Sequence, residues 1–220
     1  PFVGLDSFHA EDGFRFYGRE ELIKTLINQV LATRLVATVG PSGSGKSSVV
    51  MAGLIPKLQE GALPDSQTWH YYHTIVPGSA PLAHLTDLLK PENTQDIPLW
   101  TIENIEKLRQ DPHHLAKVVS EANQTPAVIV IDQFEETFTL CHDEDEREAF
   151  VNNLLNLVNA PGLRHVVILT MRIDYESYLD KVPLFQSAFQ QGEIRVTGMN
   201  AAELREAIEK PALSVGLKFD

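Results

Sequence analysis

Apolar side chains recur at Leu22, Ile23, Leu26, Ile27, Val30 and Leu31, the three- and four-residue spacing of a helix with one face on a core. The period then changes. Leu35-Val36-Ala37-Thr38-Val39 is a short apolar, β-rich run that predicts a buried strand. Ala127 to Ile131 is apolar on both faces, as a central parallel strand should be, and Val166 to Thr170 predicts a further buried strand. Trp69 to Val76, closed by Pro77-Gly78, predicts another, and Ile194 to Thr197 a short last one.

Helical patterns fill the intervals. Residues 47–54 carry no breaker before Gly53 and Pro56, and Pro81 to Lys90 reads as a helix. Residues 91–126 are helical patterns expected to break at Pro91, Pro98, Pro112 and Pro126. Phe150, Val151, Leu154, Leu155 and Val158 mark an amphipathic helix, with the acidic run Asp143 to Glu146 at its start, where the dipole favours negative charge. A last helix through Leu204, Ala207 and Ile208 is expected to stop at Pro211. Residues 1–17 are aromatic-rich and irregular, with Phe2, Phe8, Phe14, Phe16 and Tyr17 and turns at Gly4 and Gly13. Strands alternating with helices predict an α/β fold: a mostly parallel central sheet of about five strands with helices on both faces.

One octet gives this sheet a chemistry. Gly40 to Ser47 reads GPSGSGKS and fills every fixed position of G-x-x-x-x-G-K-[ST], the phosphate-binding P-loop, between a strand and a helix as the motif requires. Gly40, Gly43 and Gly45 free the backbone so that successive N–H groups of the loop can turn toward phosphate oxygens. Lys46 supplies a mobile charge for the β- and γ-phosphates, and the Ser47 hydroxyl can complete the coordination of Mg²⁺. The helix start adds its positive dipole end. Pro41, Ser42, Ser44 and Ser48 complete the nucleotide-binding set.

The run ending in Asp132 is the Walker B pattern, whose carboxylate beside the P-loop can hold Mg²⁺. Glu135 and Glu136 follow, either of which can orient and deprotonate an attacking water. The next strand ends in Leu169-Thr170-Met171-Arg172, which directs Arg172 toward the γ-phosphate as a sensor of triphosphate against diphosphate; Asp174 either restrains it or caps the turn. No arrangement of histidines with cysteines has zinc-ligand spacing, and no Ser or Cys hydrolase pattern is visible.

Composition narrows the setting. A length of 220 residues, 43% hydrophobic and 22% charged, fits one large α/β domain or one domain plus a small appendage. A net charge of −12 without a basic cluster argues against nucleic acid as the main partner. No apolar stretch is long enough to span a bilayer, and the lone Cys141 suits a reducing cytoplasm. A start without methionine is expected of a piece of a longer protein.

The order of Pro1-to-Leu5, Phe16-Tyr17-Gly18-Arg19-Glu20, GPSGSGKSS, VIVIDQFEE, LTMRIDY and Ala202 to Ala212 resembles the novel-STAND branch of the signal-transduction NTPases, often joined to WD-repeat or protease-like effector domains. The resemblance covers nearly the whole chain. It implies an additional-strand (ASCE) P-loop core over residues 32–220, preceded by an adenine-side segment and first helix over residues 1–31, with Tyr17, Gly18 and Arg19 near the base. It further implies ATP and ADP as nucleotides, Asp132 as the Mg²⁺ aspartate, Glu136 or else Glu135 as the catalytic acid, and Arg172 as the sensor arginine. Gln133 stands where many AAA+ proteins carry a glutamate, which leaves the base open. The helical lid and winged helix of such proteins fall beyond residue 220. The expected function is a slowly hydrolysing ATP switch of a multidomain signalling protein, with ADP holding a monomer and ATP favouring a homo-oligomer. The alternatives are an AAA+-like remodelling ATPase and a non-hydrolysing nucleotide-binding scaffold.

Overall fold

The computed structural model describes residues 16–91, 93–214 and 216. The aromatic segment expected over residues 1–15 lies outside them. Five parallel strands form one sheet in the order β2-β3-β4-β1-β5: His70–Tyr71 (β2), Ala127–Ile131 (β3), Val166–Arg172 (β4), Leu35–Gly40 (β1) and Glu193–Arg195 (β5). β4 is the additional strand, inserted between the P-loop strand β1 and the Walker B strand β3.

The side-chain period of two divides the sheet between two cores. Leu35, Ala37 and Val39 of β1, with Ile129, Ile131, Val167 and Leu169, face a layer of helices. These are α4 (Pro81–Leu89), α5 (Ile97–Gln110), α6 (His114–Ala122), α8 (Glu144–Asn159) and α9 (Pro183–Gly192), contributing among others Leu85, Leu108, Leu115, Phe150 and Phe185. On the other face Val36, Val128, Val130 and Ile168 meet α1 (Glu20–Ala32) through Ile23, Leu26 and Val30. The segment after the P-loop joins them there. Both faces are covered, which is why β1, β3 and the interior of β4 are buried at every position.

Several expected boundaries move. Gly53 and Pro56 do not end the helix after the P-loop. It runs as α2 (Lys46–Ser48), a π-helical stretch Val49–Leu54 and α3 (Ile55–Gln59), with Ile55 N–H donating to Val50 C=O. A proline at 56 has no N–H for an i→i−4 bond, and the wider turn just ahead of it accommodates its ring. Pro98 lies in the first turn of α5, where an N–H is unused, so it does not break the helix. Pro211 is enclosed by α10 (Ala201–Ser214), which continues past it at the cost of one backbone bond near its end.

The strand expected over Trp69 to Val76 contracts to β2 and an isolated bridge between Ile75 and Ile131. Tyr72 N–H donates to Val128 C=O and Ile75 N–H to Val130 C=O, so three steps on the edge face two on β3; the extra residue bulges out. α9 and the 3₁₀ segment Ile173–Lys181 between β4 and α9 have no counterpart in the expected elements. The acidic run does start a helix: Asp143 caps α8 by accepting from Glu146 N–H.

Candidate functional site

The loop between β1 and α2 is held open by its glycines. Gly43 and Gly45 sit at φ +73° and +86°, and a Cβ on either would meet nothing within 4 Å, so both face free space while taking a conformation other residues avoid. Gly40 is required for a different reason: a Cβ there would lie 2.3 Å from the Val196 carbonyl oxygen. Pro41, Ser42, Gly43 and Gly45 are exposed. Ser44 Oγ is buried without a hydrogen-bond partner and lies against Gly40, 2.8 Å from where a Cβ there would stand.

Lys46 is buried and its Nζ donates to Pro41 C=O at 2.8 Å, so the ammonium folds over its own loop. Burial pulls its pKa below the usual lysine range, while the carboxylates of Glu135 and Asp132 pull it back. Ser47 Oγ donates to Asp132 Oδ1 at 2.6 Å across 85 residues of sequence. Thr170 Oγ1 donates to the same Oδ1. Hydroxyl and carboxylate are hard oxygen donors, few in number, as Mg²⁺ bound largely through water and phosphate prefers, and so this pair fits that ion. Ser48 is half-buried one step along α2.

After Asp132 the chain turns sharply. Gln133 takes φ +54°, a left-handed conformation at a non-glycine residue, and Phe134 N–H donates to Thr170 C=O at 2.8 Å. The turn buries Glu135 to 7% exposure, and its Oε2 accepts from the Arg172 backbone N–H at 3.2 Å. Burial raises the Glu135 carboxyl above the usual carboxylate range, against hydrogen bonds and the charges of Lys46 and Arg172. Glu136, which opens α7 (Glu136–Thr139), is half-buried. The guanidinium of Arg172 is turned onto its own segment: Nη2 donates to Asp174 at 2.8 Å, and the group lies 5.2 Å from the Tyr175 ring centre. Its Nε is buried and unpartnered.

Sequence comparison decides what this arrangement belongs to. The description of the family "Novel STAND NTPase 1" matches residues 1–220, the whole chain. The chain belongs to this family of P-loop NTPases. No curated protein matches it by search. Among solved structures, the ORC2 protein of Aeropyrum pernix in ADPNP–ADP complexes is similar at a TM-score of 0.58 and 15% identity, covering 94% of this chain and 53% of that one. The Walker-type ATPase of Pyrococcus abyssi gives 0.57 and 15%, covering 97% and 62%. The ORC1 protein of A. pernix in complex with DNA gives 0.60 and 14%, covering 90% and 50%. These likenesses concern the fold, and the chain spans roughly half to three-fifths of the length of those proteins. No described helix is long and apolar enough to cross a membrane.

In this novel STAND NTPase the Tyr17-Gly18-Arg19 segment abuts the P-loop. Arg19 is 5% exposed; its Nη2 donates to Thr197 C=O at 2.7 Å and Ser44 C=O at 3.3 Å, and Nη1 lies 3.6 Å from Glu203. Gly18, at φ +85°, packs where a Cβ would be 2.3 Å from Glu203 C=O. Lys210 of α10 lies 5.6 Å from the Tyr17 ring centre and 3.1 Å from Glu20. The guanidinium of Arg19 is thus engaged by protein groups. Thr170 and Glu203 were not singled out from the sequence. A lone hydroxyl ending the apolar run Val166 to Leu169 was the available signal for Thr170. A groove of about 520 Å³ between α8 and the start of α9, lined by Phe138, Arg147, Val151 and Leu184, shares no residue with this site.

Proposed function

We propose that the chain is the ATP-binding, slowly hydrolysing core of a nucleotide switch in a longer signalling protein. The supporting observation is the convergence of Lys46, Ser47, Asp132, Glu135 and Arg172 at the ends of β1, β3 and β4. Residues 1–31 are assigned to the adenine side and the first helix, ahead of the core over 32–220. Adenine as the base, with Tyr17 and Gly18 beside it, rests on the family resemblance.

When bound, Mg²⁺ would neutralise phosphate charge, with Ser47 and Asp132 as its protein ligands. Lys46 leaves Pro41 C=O to meet phosphate oxygens, because charge-assisted bonds to phosphate outweigh a neutral carbonyl. Of the two carboxylates, Glu135 is the better supported base. Burial raises its carboxyl above the usual carboxylate range, which makes it the stronger proton acceptor, and it lies beside Lys46 and Arg172. Water attacks the γ-phosphorus as its proton passes to Glu135, and the bond to the bridging oxygen of ADP breaks. Arg172 exchanges Asp174 for the γ-phosphate and thereby distinguishes ATP from ADP. Such a difference is what a switch requires, since equal affinity for two states shifts neither.

Homo-oligomer formation with ATP, flanking WD-repeat or effector domains, and a cytoplasmic site of action belong to the same proposal. Binding of DNA is a property of the ORC1 complex; the net charge of −12 favours a different partner here. The test is the solution mass of the full-length protein with ADP and with a non-hydrolysable ATP analogue. Equal masses would eliminate the switch. Fast steady-state turnover would favour the remodelling ATPase, and function surviving Lys46→Ala would favour the scaffold.

A further inference from the structure

β4 does more than separate the P-loop strand from the Walker B strand. Thr170, 1% exposed, ends an apolar run in the middle of the sheet. Its single hydroxyl proton goes to Asp132 Oδ1, and the same Oγ1 accepts the Gln133 backbone N–H at 3.0 Å. Its carbonyl accepts Phe134 N–H at 2.8 Å, and two residues further the Arg172 N–H reaches Glu135 Oε2 at 3.2 Å. Every residue from Asp132 to Glu135 is therefore tied to Thr170 or Arg172. The left-handed Gln133, at φ +54°, is the strained link in this chain, and its amide is held by the Thr170 hydroxyl.

We propose that Thr170 is a positioning residue: its hydroxyl fixes the rotamer of the metal-binding Asp132 and, through Gln133, the approach of Glu135. The proposal rests on the nucleotide reading above. Asp132 Oδ1 has two hydroxyl donors with different duties. Ser47 comes from the P-loop helix and is itself a metal ligand in that reading, so its bond to Asp132 is exchangeable. Thr170 has no such second duty, so it retains the carboxylate's direction when Ser47 turns away. A valine at 170 keeps the shape and removes both hydrogen bonds; serine keeps both.

The experiment uses the full-length protein, fluorescent ADP, and Mn²⁺ as a spectroscopic stand-in for Mg²⁺. Expected for Thr170→Val is unchanged ADP affinity in EDTA, with half-saturation of the ADP complex by Mn²⁺ shifted about 10- to 100-fold upward, as for other outer partners of metal ligands. Thr170→Ser should remain within about threefold of wild type, below the range in which loss of such a partner is felt. In an Asp132→Ala background the Thr170→Val effect should vanish, because the hydroxyl acts through that side chain. Folded Thr170→Val with wild-type Mn²⁺ response, or an undiminished effect in Asp132→Ala, overturns the assignment. If Thr170→Val does not fold, Thr170→Cys decides: a raised Mn²⁺ requirement supports the role and a wild-type one overturns it. Failure of the wild type to bind ADP at all overturns the nucleotide reading and this assignment together.

Discussion

The backbone N–H of Arg172 donates to the carboxylate of Glu135 at 3.2 Å, so one peptide at the end of β4 holds the acidic side chain of a neighbouring loop. The arginine's side chain points elsewhere, to Asp174 and Tyr175. Backbone and side chain of one residue thus serve two purposes, and the Glu135 carboxylate and the Arg172 guanidinium share a pivot.

If Glu135 is the base, Glu135→Gln should lower ATP turnover by about 10²- to 10⁴-fold while leaving ATP binding intact. Glu136→Gln, at the half-buried start of α7, should stay near wild type. Phosphate release by each variant at saturating ATP is the measurement, and the reverse pattern moves the role one residue on.

Glu135 also has a stability signature. Its folded pKa is raised above the ordinary carboxylate value, so its contribution is complete below that ordinary value and is lost as pH rises through the folded one. At neutral pH the charged, desolvated carboxylate is a burden. Glu135→Gln should therefore melt at the same or a higher temperature than wild type at pH 7.5, and its advantage should shrink at pH 4.5, which paired thermal scans would show.

His165 predicts the opposite pH dependence. It is fully buried below the sheet, its Nδ1 accepting the Ala127 N–H at 3.1 Å and its Nε2 3.1 Å from Ser120 Oγ. Burial, then Arg34, lowers its pKa below 6.5. The unfolded chain thus binds the proton more readily, and the stability contributed by neutral His165 is present above pH 6.5 and lost as pH falls through the folded value. Urea midpoints at pH 7.5 and 5.5 should differ more for wild type than for His165→Gln. Half-buried His114, whose pKa is lowered mainly by burial, leaves a residual slope in both.

Arg19→Ala should strip Ser44 C=O, Thr197 C=O and Glu203 of a shared partner. Arg19 is buried although Glu203 is partly exposed, and the damage from losing this shared partner should be local to the P-loop and α10. Hydrogen exchange should accelerate in α10 and around Ser44 while β3 keeps its protection. Uniform exchange through both would contradict the clamp.

The parts readable from sequence were those in which the local pattern and the fold agree. β1, β3 and β4 are covered on both faces, so their apolar runs needed no partner to be recognised. The P-loop is legible because each residue type answers to the backbone or to phosphate. β2 was overextended because an edge strand tolerates a bulge that composition does not record. α9 escaped because its fully buried anchors Phe185 and Phe189 sit among glutamines. The proline boundaries failed where the proline fell in a first turn or beside a π turn. The carboxylates Glu135 and Glu136 could not be separated because the left-handed Gln133, which aims them, is a property of the folded loop.

Arg19 joins positions 178 residues apart, tying the segment ahead of α1 to the one that leads into α10, with the P-loop carbonyl between them. Mechanically, the described chain is a loop fastened at its own nucleotide cradle. Gly18 packed on the Glu203 carbonyl and Lys210 reaching Glu20 fasten the same two segments beside that guanidinium. A shift of α10 relative to α1 would therefore be felt at the Ser44 carbonyl of the P-loop, because one guanidinium holds both.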